Sequence, residues 1–337
     1  MRPILVAPDS FKGTFCAVDV AHAIGRGLDA CGLRADLCPV ADGGEGTLET
    51  LVTAVGGRTF TADVRDPVGR PVRALFALIN DGHCAVVEIA AASGLGLLAD
   101  TELDPWTANT YGSGQLIRAA VDAGAEQILV AVGGSATVDG GRGALQAITD
   151  AGGLGDVRIV VLCDVRTTWE QCAHIYGPQK GADREMRRLA DRLDAFAVEL
   201  PHDPRGVPMT GAAGGLSGGL WAALGAEMAS GAPHVLETIG FDHRLSKAHS
   251  VIVGEGRIDE QSVMGKIVGE IGQRARHAGV PLHAIVGRNS LPADAARRIA
   301  LRSITQATTL EEITEAAERL GREILVESSG SGLLRHP

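Results

Sequence analysis

The stretch "PILVAPDSFKGT" (residues 3–14) sets the pattern on which the rest of the fold is built. An apolar run that ends in Pro-Asp is typical of a buried strand. "CAVDVAHAIGRGLDACG" (16–32) follows it with apolar residues at helical spacing and a terminal glycine. "RADLCPVAD" (34–42) and "GTLETLVTAVGG" (46–57) repeat that order. The chain therefore begins with a β-α-β-α alternation, which predicts an α/β fold.

The character of the sequence changes at Arg58. Residues 58–90 contain β-rich runs separated by "DPVGRP" and "NDGH", two turn signals that predict an antiparallel meander. Helix and strand patterns then alternate, and "SVIVGEG" (250–256) and "LHAIVGR" (282–288) are again typical of buried strands. We predict a discontinuous α/β domain from residues 1–58 and 246–325, an inserted mixed α/β domain over 59–245, and a disordered tail over 326–337.

Composition narrows the classes of function. The 337 residues are 45% hydrophobic and carry a net charge of −10, which argues against nucleic acid as a partner because phosphate-backbone affinity needs a basic field. The six cysteines include no CxxC pair, and the first residues do not form a signal peptide. The apolar run near Glu88 is too short to span a membrane. We therefore expect a cytoplasmic protein with reduced thiols and no membrane partner.

Five segments place glycines beside acidic, hydroxyl or lysine side chains where a predicted strand ends. Such positions bind ligands in open α/β sheets, and glycines let backbone N–H groups approach phosphates. A polyanionic ligand is the functional interpretation; turn geometry and helix N-capping are the structural alternative for any single segment. None matches a Walker A loop or a G-x-G-x-x-G fingerprint. The segments are "APDSFKGT" (7–14), "VADGGEGT" (40–47), "VGGSATVDGGRG" (132–143), "LCDVRTTW" (162–169) and "VGEGRIDEQSVMGK" (253–266).

The lysines are placed unevenly. Only four of the 31 basic residues are lysines, and Lys12, Lys180 and Lys266 lie in glycine-bearing stretches whereas Lys247 does not. This placement indicates sites that need a compact ammonium rather than a planar guanidinium.

Other residues favour structural readings. No histidine has metal-ligand spacing. The small residues of "GAAGGLSGGL" (211–220) favour close helix packing at least as much as phosphate binding. We interpret the arginines of "DREMRRLADRL" (183–193) as a solvated helix face.

Phosphoryl transfer needs cations around the phosphates, a carboxylate for Mg²⁺ and a carboxylate for the hydroxyl proton. "APDSFKG", "ADGGEGT", "GGSATVDGG", "YGPQKGA", "GAAGGLSGG" and "GEGRIDEQSVMGK" occur in that order between about residues 4 and 290. Together they resemble the glycerate kinase family. The resemblance implies ATP-dependent phosphorylation of D-glycerate with Mg²⁺, mostly to 2-phosphoglycerate. It also implies a discontinuous flavodoxin-like, Rossmann-like parallel-sheet domain with an inserted mixed α/β domain. "CDVRTTWEQCAHIYG" (163–177) is shorter than the common form of the family.

The resemblance also implies roles for individual residues, with Asp139 as the favoured base in a direct in-line transfer. Asp42 and Glu45 are candidates for Mg²⁺ as well as for substrate, whereas Asp139 and Asp164 have structural alternatives as a helix N-terminal acid and a turn acid. The assignments are as follows: catalytic, Asp139, Lys180 and Lys12; substrate-binding, Asp9, Ser10, Asp42, Glu45, Arg257 and Lys266; nucleotide-binding, Gly133, Gly134, Ser135 and Glu255; metal-binding, Asp164 and Asp259.

Two other functions stay open. The protein could instead be a kinase for another small hydroxy acid, because such a substrate has the same carboxylate as glycerate and would need the same cations to bind it. A non-catalytic nucleotide sensor with the same fold would bind ATP without glycerate-dependent release of ADP. The sequence does not fix the oligomeric state.

Overall fold

The structure is a computed structural model that describes residues 1–182, 186–263 and 266–330. Its strands are β1 Ile4–Pro8, β2 Ala35–Leu37, β3 Arg58–Arg65, β4 Pro71–Ile79, β5 Cys84–Glu88, β6 Gln127–Ala131, β7 Arg158–Leu162, β8 Glu227–Ala229, β9 Ser250–Ile258, β10 Leu282–Asn289 and β11 Leu301–Gln306. Its α-helices are α1 Ala17–Ala30, α2 Thr47–Val55, α3 Ala90–Ser93, α4 Tyr111–Asp122, α5 Arg142–Asp150, α6 Cys172–Tyr176, α7 Met186–Glu199, α8 Leu216–Leu224, α9 Gly231–Thr238, α10 Phe241–Leu245, α11 Glu260–Val263, α12 Ile267–Ala278, α13 Ala293–Arg298 and α14 Leu310–Gly330.

The chain forms two compact units, the first from 1–42 and 235–337 and the second from 43–234. We refer to them as the discontinuous unit and the inserted unit. The predicted domain bounds at 58/59 and 245/246 stay a prediction. The predicted α/β fold class, with a parallel sheet and a mixed sheet, is confirmed.

The discontinuous unit contains a five-stranded sheet in the order β11-β10-β9-β1-β2, in which each strand pairs parallel with its neighbours. All five residues of β1 are buried, as expected for a central strand covered on both faces. Read from β2, the order is that of a flavodoxin-like sheet, whose topological switch point lies between β1 and its neighbour β9. The residues after β1 and at the end of β9 therefore occupy the position where such sheets bind ligands.

Helices α1 and α14 pack together in this unit through a glycine. A Cβ added to Gly27 on α1 would lie 2.2 Å from the carbonyl oxygen of Thr314 on α14. The Thr314 hydroxyl also donates a hydrogen bond to the Ala23 carbonyl at 3.1 Å. The C-terminal helix is thus held against the first helix by close backbone approach.

The inserted unit contains a mixed six-stranded sheet in the order β3-β4-β5-β6-β7-β8. The predicted meander is confirmed, since β3, β4 and β5 pair antiparallel, and β5 to β8 then pair parallel. Leu116 and Ile117 of α4 are fully buried in the same hydrophobic cluster as Ile128 and Val130 of β6.

Several local predictions need correction. Strands β8 and β11 were not predicted, and the tail prediction was wrong for 326–330, because α14 continues to Gly330. The Ser328 hydroxyl donates to the Ile324 carbonyl within that helical turn at 2.8 Å. Residues 331–337 lie outside the described residues, as do 183–185 at the start of the predicted arginine-rich helix.

That helix is not simply a solvated face. The guanidinium of Arg192 donates to the carbonyls of Trp106, Pro105 and Val138 at 2.6–3.0 Å. Arg188 lies over the Trp106 ring, 4.7 Å from its centroid. These two arginines hold the segment before α4 because their planar groups match several carbonyls and an aromatic face.

All six cysteines carry free thiols, and four of them are buried. Among the described helices, none has the length and apolar character to cross a membrane.

The glycines of "GAAGGLSGGL" serve packing. A Cβ on Gly219 would lie 2.1 Å from the Gly140 carbonyl oxygen, and one on Gly218 would lie 2.6 Å from the Trp169 ring. Helix α8 therefore approaches the backbone before α5 at a distance that only glycine allows, and the structural reading of this segment is supported.

We predict that Gly219→Ala lowers the free energy of unfolding by about 1–3 kcal/mol or more, because the added methyl group must displace backbone rather than a flexible side chain. Gly96→Ala is the matched control, since an added Cβ there meets nothing within 4 Å. Its effect should stay within about 0.5 kcal/mol. Urea unfolding of both variants provides the measurement, and equal effects would contradict the packing argument.

Candidate active site

The end of β1 and the part of β9 just beyond its pairing with β1 place two acids at the switch point of the discontinuous unit. Asp9 follows Pro8 directly, and its N–H donates to the Gly254 carbonyl at 2.8 Å, one residue before Glu255. One Asp9 oxygen accepts a hydrogen bond from the N–H of Ser10 at 2.6 Å. Both acids line one cavity of about 510 Å³. Strand pairing, rather than local loop geometry, brings these two distant sequence segments together.

Burial controls the electrostatics of both acids. Asp9 is 6% exposed, and its pKa is raised to about 8, mainly by burial and then by the nearby Asp42 carboxylate. Lys12 and the Ser10 N–H offset part of that effect. Burial likewise raises the pKa of Glu255 to about 7, against the lowering influence of Ser262 and Lys266. The Oε1 atom of Glu255 is buried without a hydrogen-bond partner in the described part of the chain. The cavity thus contains carboxylates that the protein does not fully stabilise as anions.

Cations line the same cavity. Lys12 Nζ lies 3.4 Å from an Asp42 carboxylate oxygen, and its side chain is 64% exposed. Arg257 Nε lies 3.7 Å from an Asp259 oxygen, and Lys266 immediately precedes α12. The lining acids and bases are equal in number: Asp9, Asp42, Glu255 and Asp259 against Lys12, Arg257, Lys266 and Arg288.

The predicted site residues divide between the two units. Eight of them line the cavity of the discontinuous unit: Asp9, Ser10, Lys12, Asp42, Glu255, Arg257, Asp259 and Lys266. The others belong to the inserted unit: Glu45, Gly133, Gly134, Ser135, Asp139, Asp164 and Lys180. Arg288 was missed, although its place at the end of the predicted strand "LHAIVGR" was a signal for it.

Two glycine loops meet in the inserted unit. A Cβ on Gly133 would lie 2.8 Å from the Gly44 Cα, and one on Gly134 would lie 3.6 Å from a carboxylate oxygen of Glu45. Gly134 has φ +70°, a conformation that favours glycine, and it is exposed. The loops after β6 and before α2 therefore need glycine for their mutual approach, and the carboxylate of Glu45 lies beside the exposed Gly134.

Lys180 lies beneath the loop that follows β6. It is 2% exposed, and its Nζ donates to the Thr137 carbonyl at 2.7 Å and to the Ser135 hydroxyl at 3.4 Å. Burial lowers the pKa of Lys180 to about 8. Because the ammonium donates its hydrogen bonds to atoms of the loop, Lys180 stabilises the loop from its buried side and places a positive charge beneath it.

Asp139 and Asp164 accept hydrogen bonds from helix starts. Asp139 accepts from the N–H and hydroxyl of Thr110 at 2.9 Å and from the N–H groups of Gly141 and Gly143 at 3.1 Å. Asp164 accepts from the N–H of Ala232 in α9 at 3.2 Å. Both contacts match the structural alternatives for these acids. The predicted roles of Asp139 as base and Asp164 as metal ligand stay predictions.

A further acid went unpredicted as a site residue. Glu88 ends β5, and its carboxylate accepts from the N–H of Leu48 at 2.8 Å, at the start of α2. Burial raises the pKa of Glu88, although the backbone N–H groups of Leu48 and Gly46 lower it. The sequence pattern that could have indicated this residue is a single acid at the end of the otherwise apolar strand "CAVVE".

The donor set fits a Mg²⁺ ion that arrives with a phosphate. Within residues 1–182, 186–263 and 266–330, no three His, Cys, Asp or Glu side chains form a ready metal site. Mg²⁺ nevertheless needs only one or two carboxylates when substrate phosphates complete its shell. The unpartnered Oε1 of Glu255 would suit such a role, and Asp9 and Asp42 line the same cavity. Asp259, the predicted ligand, already accepts from the Ser262 N–H at 3.3 Å.

Comparisons with known proteins agree over nearly the whole chain. The model of the glycerate kinase family matches residues 4–151 and 150–329. The glycerate kinase of Bacillus subtilis strain 168 is 38% identical, over 95% of this chain and 96% of its own. The glycerate 2-kinase of Escherichia coli K12 is 36% identical over 84% of each chain. The crystal structure of a candidate glycerate kinase 2 from Salmonella typhimurium LT2 has a TM-score of 0.82 at 31% identity and covers 97% of this chain and 99% of that one. The chain therefore belongs to the glycerate kinase family and is an enzyme of the kinase class.

Proposed function

We propose that the protein phosphorylates D-glycerate with ATP and that the product is 2-phospho-D-glycerate. The observation that carries this proposal is the pairing of the buried Asp9 with the partly buried Glu255 at the switch point of the discontinuous unit, in a cavity that Lys12 and Lys266 also line. The name of the Escherichia coli relative supports the 2-hydroxyl as acceptor.

Glycerate binds in the cavity of the discontinuous unit in this proposal. Its carboxylate needs cations, which Arg257, Lys266 and Arg288 supply, and its hydroxyls need carboxylate acceptors, which Asp9 and Asp42 supply. A charge-balanced lining suits a small ligand that carries both an anion and hydrogen-bond donors.

We assign the base to Asp9 rather than to Asp139. A carboxylate whose pKa is raised toward neutrality takes a proton from a hydroxyl more readily than one held by several donors. Asp9 has its pKa raised to about 8 by burial, whereas Asp139 accepts four hydrogen bonds. Asp9 would act in its ionised form, which the charge of Lys12 favours and a bound Mg²⁺ nearby would favour further. It would hold the proton that leaves the attacking hydroxyl while the phosphoryl group transfers directly in line, with no phospho-enzyme.

The loop of Gly133, Gly134 and Ser135 is the proposed cradle for nucleotide phosphates. Exposed backbone at Gly134 permits close approach, and the buried Lys180 ammonium adds positive charge behind it. Lys180 is a positioning residue in this account, because its hydrogen bonds go to Thr137 and Ser135.

Glu255, with Asp42, would hold Mg²⁺. When bound, the ion neutralises phosphate charge that builds up during transfer. Without it, Glu255 keeps a buried oxygen that no described residue satisfies.

We predict glycerate-dependent release of ADP that stops with EDTA and returns with added Mg²⁺. A coupled assay over a panel of hydroxy acids measures the preference, and a ³¹P NMR spectrum of the product identifies the phosphorylated hydroxyl. Activity on other hydroxy acids in place of glycerate would reassign the substrate. Binding of ATP without release of ADP would identify a nucleotide sensor and contradict the proposal.

Two carboxamide variants separate the candidate bases. Asp9→Asn should lower kcat by roughly 100-fold or more, because the amide cannot accept the hydroxyl proton. Asp139→Asn should instead lower the free energy of unfolding by about 1–3 kcal/mol, since an NH₂ group would face donors such as Gly141 and Gly143. Steady-state kinetics and urea unfolding on both variants give the measurement. Normal kcat in a folded Asp9→Asn protein, with a large loss in Asp139→Asn, would return the role to Asp139.

A further inference from the structure

A second cavity, of about 590 Å³, lies wholly within the inserted unit. Its wall is built from the end of β3, the segment before α4, the start of α5 and one face of α7. A cavity of this volume accommodates a ligand of nucleotide size. A three-carbon acid would leave most of it unfilled. The side chains that define its chemistry are Arg65, Trp106, Tyr111, Arg142, Arg192 and Phe196.

The charge of this cavity comes from its arginines. Asp139 is the acid on the wall, and it already accepts hydrogen bonds from the backbone at the start of α5. Arg192 donates to three backbone carbonyls, so it adds charge and shapes the wall.

Two further arginines of the wall are exposed. Arg142 pairs with Glu199 at 2.7 Å, an ion pair whose side chains are both more than half exposed. Arg65 is exposed as well, and its guanidinium reaches the Gly69 carbonyl at 3.3 Å. Arg65 and Arg142 therefore have donors available to an anion.

Aromatic and apolar groups form the rest of the wall. Trp106 is 38% exposed, although Arg192 lies 4.7 Å from its ring centroid. Phe196 packs beneath Arg142, whose guanidinium carbon lies 4.1 Å from its ring centroid. Large aromatic and aliphatic surfaces favour a planar apolar group, and guanidinium groups favour a phosphate. One ligand that carries both chemistries is a nucleotide.

We propose that this cavity binds the nucleoside monophosphate part of the nucleotide substrate, with its phosphate at Arg65 and Arg142 and its base on the side of Trp106. The inference rests on the proposed function, because a kinase must bind a nucleotide. It adds a location and two recognition residues that the glycine loop does not supply. Asp139 is part of the cavity wall, and it lies six residues after Gly133 in the same chain segment. The segment that contains the glycine loop therefore leads directly to the cavity.

The test uses AMP and adenosine as probes, because both bind without turnover. Isothermal titration of the full-length protein should show AMP binding at least tenfold more tightly than adenosine, the usual effect of one charge-assisted contact. Arg142→Gln should remove most of that preference. Glu199→Gln breaks the same surface ion pair from its other side and should keep the preference.

A second pair of variants, one in the cavity wall and one outside it, distinguishes a loss of AMP binding from a general effect of replacing an arginine. Arg65→Gln should weaken AMP binding by roughly tenfold. Arg73→Gln, on β4 and 77% exposed at its side chain, should not change it. AMP should also change the tryptophan fluorescence of the wild type, and Trp106→Phe should abolish that change.

The outcomes separate this inference from the proposed function. Equal AMP affinity in the wild type, Arg142→Gln and Arg65→Gln proteins would overturn the inference even if the enzyme released ADP with glycerate. Displacement of AMP by 2-phosphoglycerate at equal affinity, with no binding of adenosine, would overturn it too, because the cavity would then take a phosphorylated acid. Preferential AMP binding that both arginine variants lose would support it, whether or not glycerate is the acceptor.

Discussion

The candidate site of the discontinuous unit depends on one constraint, the burial of the Asp9 carboxyl group at the end of β1. The discontinuous unit needs β1 at the centre of its sheet, so all of β1 is buried and the residue after it is almost as inaccessible to water. Pairing with β9 then fixes Glu255 at the same edge. Removing water from these acids, with Asp42 nearby, makes their anions costly and gives the site its demand for a proton or a cation.

The inserted unit uses burial for a different purpose. Lys180 loses its water and donates to the loop after β6, so a charged group stabilises backbone carbonyl and hydroxyl oxygens beneath a surface that exposes Gly134. A guanidinium is larger and planar, and it would need a wider space than the one beneath this loop. The lysines in the glycine-bearing stretches thus lie in two different environments. Lys12 forms an exposed ion pair with Asp42, whereas Lys180 is buried and supports a loop.

Periodicity in the sequence predicted the strands that position Asp9 and Glu255, because buried parallel strands are nearly continuous apolar runs with polar residues at their ends. It did not reveal short edge strands such as β8, whose pairing depends on tertiary contact. Sequence also could not decide the role of Asp139, because the donors around it include Thr110, which lies far away in the chain. Arg192 was misjudged for the same reason, since its carbonyl partners belong to a distant segment. The family resemblance was confirmed, whereas the individual roles stay proposals.

The central claim is that burial in the folded protein raises the pKa of Asp9 toward 8, and the pH dependence of stability tests it most directly. The Asp9 pKa is about 8 in the folded protein against an ordinary value of 3.8, so between these values the native state holds a proton that the unfolded chain has released. This contribution to stability is complete below pH 4 and is lost as the pH rises toward 8. From pH 5 to 7, the free energy of unfolding of the wild type should fall relative to Asp9→Asn by up to about 1.4 kcal/mol per pH unit. Parallel curves for the two proteins, or a wild type that gains stability relative to the variant as the pH rises, would contradict the account.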